Sequence, residues 1–233
     1  MAELSSHSSR RALMMTGAAL AVGALARSTT LAVLPGTRSS LPPAAALNAP
    51  APTPARAVPA TSRFDVEPRL LQRALAALDA HSASIKSRDR IAIVDFSAPS
   101  SEPRLHFLDV TNGRASRLLV AHGSGSDPGH TGFLTRFSNA FGSNASSEGA
   151  FRTEDYYVGK HGRSQRLVGL DATNNNALDR AIVVHSAWYA NDDMIAAHGK
   201  LGRSQGCFAV GENKLDDVFD FLGKGRMIYA VRA

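Results

Sequence analysis

The sequence predicts a β-dominated α+β domain. Short runs rich in Val, Ile, Leu and Phe recur from about Arg63 onward, separated by clusters of Gly, Asn, Asp and Ser, which is the pattern of strands and turns. Only two longer segments place apolar residues at clear helical spacing. The chain is 44% hydrophobic and 20% charged, so it can bury a core.

The elements follow in order. Over Glu67 to Ala83, Leu70, Leu71, Ala74, Leu75 and Leu78 mark one face of an amphipathic helix. Ile91-Ala-Ile-Val-Asp-Phe96 and Leu105-His-Phe-Leu-Asp-Val110 are β-rich runs, and Asn112-Gly113 predicts a hairpin turn into Arg117-Leu-Leu-Val-Ala121. Phe151 to Val158 and Gln165 to Leu170 are further strands, and Ala181-Ile-Val-Val-His185 is a compact apolar run ending in a histidine. Asp192 to Ala197 is a short helix with Asn191 as its expected N-cap. Glu212 to Leu222 is a clearer helix with Leu215, Val218, Phe219 and Leu222 on one face, ended by Gly223 and Gly225. Met227-Ile-Tyr-Ala-Val231 is the closing strand.

Two segments precede this domain, which is expected over 63–233. Arg10-Arg11, an uncharged stretch from Ala12 to Ala26 and the small-x-small run Ala24-Leu25-Ala26 read as an export signal over 1–26. Ser9-Arg-Arg-Ala-Leu-Met14 also resembles a twin-arginine signal. A membrane-anchoring helix is the alternative, although the apolar run is shorter than the roughly 20 residues of a span. Residues 27–62 hold Pro35, Pro42, Pro43, Pro50, Pro52, Pro54 and Pro59 among Ala, Ser and Thr, a disordered linker of Pro-rich type.

The chain has one cysteine, which excludes an intramolecular disulfide and any multi-thiol zinc site. A structural cysteine usually sits inside an apolar periodic segment. Cys207 instead follows Gly202-Arg-Ser-Gln-Gly206, at a loop-to-strand junction. Gly206 permits a sharp backbone path and exposes backbone N–H groups of the kind an oxyanion hole needs. His185, fixed at the end of a strand-like run, is a candidate base that would draw the thiol into a thiolate–imidazolium pair. Ser186 could orient the ring through its backbone carbonyl. An inert buried thiol and a structurally satisfied histidine are the competing readings. Arg203 is a candidate partner for a substrate carboxylate, or else a solvated surface arginine. His161, flanked by glycines in Gly159-Lys-His-Gly162, is a candidate cleft residue, and Trp188 with Tyr189 a candidate aromatic wall. The spacing of His161, His185, His198 and Cys207 does not match a compact zinc motif.

These residues resemble the YkuD-like L,D-transpeptidase catalytic domains, whose signature is a histidine, a short spacer, then Ser/Thr-His-Gly-Cys. Here it stands as His185-Ser186 and Ser204-Gln-Gly-Cys207. The wider set is closer to the divergent murein L,D-transpeptidase branch. It comprises Ala121-His-Gly123, Ser138-Asn139, Gly142-Ser143, Ser146-Ser-x-Gly149, Gly159-Lys-His-Gly162, Ser164-x-Arg-Leu167, Arg180-Ala-Ile-Val-Val-His185 and Gly199-x-Leu-Gly-Arg-Ser-x-Gly-Cys207. Gln205 stands where a histidine is usual, Ala209 where a polar residue or arginine is common, and the spacer over 186–203 is slightly long.

The resemblance implies a β-sandwich or barrel domain acting on peptidoglycan stem peptides. Cys207 would be the nucleophile, His185 the base, Ser186 its orienter, and Gly206 with Cys207 the oxyanion site. Arg203, Ser204, Gln205, His161, Trp188 and Tyr189 are the expected substrate-side residues. The implied reaction is acyl transfer from an L–D bond, through a thioester, to an acceptor amine, with sensitivity to carbapenems. An L,D-carboxypeptidase or endopeptidase on the same machinery, or a non-catalytic wall-binding module, is the alternative. No cofactor and no metal are expected. The partners are donor and acceptor stems, with a membrane tether only if the signal is retained. The net charge of +6 suits an anionic wall polymer in the bacterial envelope, most naturally the periplasm. Nucleic acid is not expected, because no Lys/Arg cluster interleaves with aromatics.

Overall fold

The computed structural model describes residues 64–233, so the expected signal (1–26) and linker (27–62) lie outside the described residues. Helix α1 spans Pro68–Ala80. Pro68 occupies its first turn, where a missing N–H has no consequence, and the Glu67 carboxylate accepts the Leu70 N–H at 2.7 Å. Leu70, Ala74 and Leu78 form its buried stripe. The helix stops short of the expected Ala83. The His81 carbonyl takes the N–H groups of Ser84 and Ile85 in a tight turn, and that turn drops Ile85 into the core.

Strands β1 (Arg90–Asp95), β2 (Leu105–Asp109) and β3 (Arg114–Leu118) form an antiparallel meander. The connection between β2 and β3 is longer than a two-residue turn. The Asp109 carboxylate accepts from the Asn112 backbone and side chain, and Gly113 takes φ +70°. This pairing puts the polar run Arg114–Leu118 on the sheet edge, earlier than the expected 117–121. An arginine-bearing edge strand also resists pairing with other chains.

Strands β4 (Gly149–Gly159) and β5 (Gly162–Gly169) are a hairpin whose tip is Lys160-His161. They are followed by β6 (Val183–Ser186), α2 (Asp193–His198), β7 (Phe208–Val210), α3 (Leu215–Leu222) and β8 (Met227–Val231). Asn191 does not cap α2. Its amide is spent on Glu212, accepting the backbone N–H at 2.7 Å and donating to the carboxylate at 2.8 Å, and Asp192 takes the cap position. The expected helix over 212–222 begins as a 3₁₀ turn over Glu212–Lys214 before α3 proper.

The fold is mostly β, one mixed sheet in the order β3-β2-β1-β8-β4-β5-β6-β7. The β1–β8 and β6–β7 pairs are parallel and the others antiparallel. Central β1 is buried on both faces. Ala92 and Val94 join a core with Phe151, Phe208 and the apolar face of α3, while Ile91 and Ile93 join a second core under α1. The chain just past β3 then crosses to the far edge, where the Ala121 N–H donates to the Ala209 carbonyl at 2.8 Å. The two ends of the sheet are thereby tied together, barrel fashion, and the tie lies two residues past Cys207.

Candidate active site

His185 sits on β6, registered with Ser164 on β5 and with Ala209 on β7. Successive strand side chains alternate faces, so Cys207, two before Ala209, shares the sheet face of His185. Parallel pairing of two short strands thus brings together residues well separated in sequence.

The loop that presents Cys207 is knotted internally. The Ser204 hydroxyl donates to the Cys207 carbonyl at 2.7 Å and accepts the Gly206 N–H at 3.1 Å. The Ser204 backbone is held on both sides, by the His122 carbonyl at 2.9 Å and the Ser124 N–H at 2.8 Å. Ser146, fully buried, accepts the Gly123 N–H at 3.0 Å and donates to the Gly206 carbonyl at 3.2 Å. Gly206 has φ +115°, and a Cβ there would lie 2.7 Å from the Ala145 carbonyl and from Ile182 Cδ1. Only glycine fits that approach.

This geometry corrects one expectation. The Gly206 N–H is committed to Ser204, so Gly206 is a conformational residue and not an oxyanion donor. Against burial of the thiol, the backbone N–H groups of Val183 and Cys207 draw its pKa down.

Cys207 is 6% exposed, and its thiol donates to the Ala181 carbonyl at 3.6 Å. His185 is 1% exposed. Its Nδ1–H donates to the Ser186 carbonyl at 2.8 Å, which leaves the Nε2 lone pair without a partner among the described residues. Burial pushes the thiol up, against the pull of the Val183 N–H, Lys160 and Arg180. Burial also pushes His185 down, against the Ser186 hydrogen bond, and His161 and Lys160 push the same way. Both shifts favour an uncharged thiol and an uncharged imidazole over the expected thiolate–imidazolium pair. The His161 ring stacks on His185, with centroids 4.4 Å apart and 21° between planes.

Cys207 opens on a pocket of about 310 Å³, lined also by Lys160, His161, Arg180 and Gln205. Of the expected substrate-side residues, His161 and Gln205 are there. Arg203 is not. Its guanidinium is bonded to the backbone carbonyls of Asp127 and Pro128, a loop staple. Ser204 is buried inside the cysteine loop. Trp188 is 65% exposed and stands edge-on to Tyr189, and Tyr189 packs on Gly202. Neither Trp188 nor Tyr189 lines the pocket. Burial, with the nearby Cys207, pushes Tyr189 up to about 12.

Two features carried no sequence signal beyond the resemblance. Arg180 donates to the Ser138 and Ala145 carbonyls and to the Ser143 and Ser147 hydroxyls, at 2.6–3.2 Å. It straps the 138–147 segment beside the cysteine loop. Beneath it all, Arg104 is wholly buried, donating to the Val120 and Ala98 carbonyls and to His122 Nδ1 at 2.7 Å, with the Phe96 ring at 4.9 Å. His122 then carries its proton on Nε2. That atom lies 3.4 Å from Asp127 Oδ2, a long contact that attracts the ring and raises its pKa against burial. Among the described residues no three His, Cys, Asp or Glu side chains converge as a metal site would need.

A mostly-β domain with a backbone-oriented histidine on β6 and a cysteine in the bend just before the parallel strand β7 defines the class. The chain belongs to the L,D-transpeptidase catalytic domain family, whose family model matches residues 62–231. Solved structures similar to it include an L,D-transpeptidase from Mycobacterium smegmatis, at 12% identity over 61% of this chain and 58% of that one, TM-score 0.38. Another is an L,D-transpeptidase from Xylanimonas cellulosilytica, at 16% identity over 68% and 69%, TM-score 0.35. A third is from Mycobacterium tuberculosis, at 13% identity over 62% and 58%, TM-score 0.36. The chain thus spans under two thirds of the length of the two mycobacterial proteins. No curated protein matches it.

Proposed function

We propose that this chain is a peptidoglycan L,D-transpeptidase with Cys207 as nucleophile and His185 as its base. One observation carries the reading. The lone cysteine opens on a pocket, on the sheet face of a histidine whose Nδ1–H is fixed by Ser186 and whose Nε2 lone pair is free. A neutral imidazole so fixed is a general base, and an uncharged thiol is a proton donor to it.

The thiol proton passes to His185 Nε2 as sulfur attacks the carbonyl of the L-residue at an L–D bond of the donor stem. The Cys207 N–H stabilises the oxyanion. The C–N bond breaks, Nε2–H protonates the departing amine of the D-residue, and a thioester remains. An acceptor amine from a neighbouring stem loses its proton to His185 and attacks the thioester. The thiolate leaves and takes that proton back, and the product is a cross-link. Water in place of the amine gives a trimmed stem.

The test is acylation by a peptide bearing an L–D bond, followed by intact-protein mass spectrometry. The wild-type chain is expected to gain the thioester mass, and Cys207→Ala to gain none while keeping its circular-dichroism spectrum. An acyl adduct of the same mass on Cys207→Ala, or none on the wild-type chain, overturns the reading. Product analysis with defined muropeptides then separates transfer, which gives new dimers, from hydrolysis, which gives only shortened monomers. The reaction belongs in the bacterial envelope, and the support for that location is the signal-like run over residues 1–26. Cell fractionation with N-terminal sequencing of the mature chain tests it, and cytoplasmic, unprocessed protein would contradict it.

A further inference from the structure

The Cys207 pocket is cationic. Lys160, His161 and Arg180 line it against one carboxylate, Asp179. The two permanent cations differ in freedom. Both Nη atoms of Arg180 are committed to the 138–147 segment, so its guanidinium cannot turn toward a ligand. Lys160 sits at the exposed tip of the β4–β5 hairpin and makes no ion pair among the described residues. Its charge is felt at both the Cys207 thiol and the His185 ring. A free ammonium on a flexible stem beside a fixed guanidinium suits an anionic group carried by a substrate.

We propose that Lys160 is a specificity residue that reads a carboxylate of the peptide bound at Cys207, a proposal that rests on the peptide-acylating role given above. Two carboxylates are candidates in chemistry: the terminal carboxylate of the leaving D-residue, and a side-chain carboxylate of the donor peptide. Asn144 and Gln205, also at the pocket, supply neutral donors around the same space.

Because the chain has a single cysteine, alkylation tests the charge without any assumption about the substrate. Iodoacetate and iodoacetamide are both attacked by the same thiolate, which expels iodide, so their rate ratio cancels changes in thiolate fraction. The wild-type ratio is expected to exceed that of N-acetylcysteine. It should fall about fivefold in Lys160→Met, survive in Lys160→Arg and shrink with added salt. An unchanged ratio in Lys160→Met overturns the proposal.

The second arm uses L–D peptides with either carboxylate amidated. Lys160→Met is expected to raise KM about fivefold for the free acid. It should have no effect on the donor whose amidation removed the contacted carboxylate, which identifies that carboxylate. An equal rise for the free acid and both amides overturns the proposal. If no donor is turned over, the acylating role fails, and the alkylation ratio still decides whether Lys160 draws an anion to this pocket.

Discussion

Burial favours the neutral form of both Cys207 and His185, and that sets the pH behaviour of the site. His185 is pushed below its ordinary value, first by burial and then by His161 and Lys160. It is therefore already a competent base at pH values where a free imidazole, near 6.5, is half protonated. The acid limb of kcat/KM is expected below about pH 6.5, tracking the His185 titration followed by NMR. A limb at or above that value would contradict the neutral resting pair. The stacked His161 ring sharpens the test. His161→Ala admits water to His185 and should raise its pKa, whereas His161→Phe keeps the stack and should raise it less. These features were unevenly legible in the sequence. A glycine-preceded lone cysteine and a strand-end histidine stand out as residue types in context. The charge state of the pair does not, because it depends on burial by segments distant in sequence.

The cysteine loop works as an element because several backbone groups are tied at once. Gly206 is its least replaceable position. Gly206→Ala forces a Cβ against the Ala145 carbonyl at φ +115° and is expected to lower stability by about 2 kcal/mol. It should also slow thiol alkylation sharply. Gly113→Ala, at φ +70° with open space around it, should lower stability by only about 1 kcal/mol and leave alkylation untouched. Equal effects from the two, read by urea unfolding and labelling rate, would show that the Gly206 approach is not the constraint. The same lesson explains several element boundaries. The apolar run Leu118–Ala121 reads as strand by composition, yet only Leu118 pairs, at the end of β3; the rest is used to cross to β7, and most of the paired residues are the polar ones before it. Asn191 reads as an N-cap by type but is consumed by Glu212. Local propensity cannot see a partner that arrives from another segment.

Across the whole molecule, the buried Arg104–His122–Asp127 cluster couples folding to pH. Burial, then the Arg104 charge, push His122 down to about 4. Its unfolded value is near 6.5, so the unfolded chain binds the extra proton. Stability is complete above about pH 6.5 and is lost as pH falls toward 4, by about 3 kcal/mol from His122. Burial of Asp127 opposes its ionisation, but the N–H donors of Thr131 and Gly132 outweigh that and hold its carboxyl low, adding to the loss at more acid pH. The urea midpoint of the wild type should drop across this range, and His122→Asn should flatten the drop; parallel slopes would remove His122 as the cause. The sequence by itself determined the β-dominated class, most strands and the apolar faces of α1 and α3, and it singled out Cys207 and His185 as candidates. Each of those is written in local periodicity or in the type and immediate setting of a residue. Only the tertiary structure decided the rest. It took Arg203, Ser204, Trp188 and Tyr189 out of the pocket, committed the Gly206 N–H to Ser204, brought Lys160 and Arg180 to the Cys207 pocket, and set Ser146 against the Gly206 carbonyl. Those outcomes depend on which backbone and side-chain groups meet across the closed sheet, and a hydrogen bond already made to a distant segment is no longer available to a substrate.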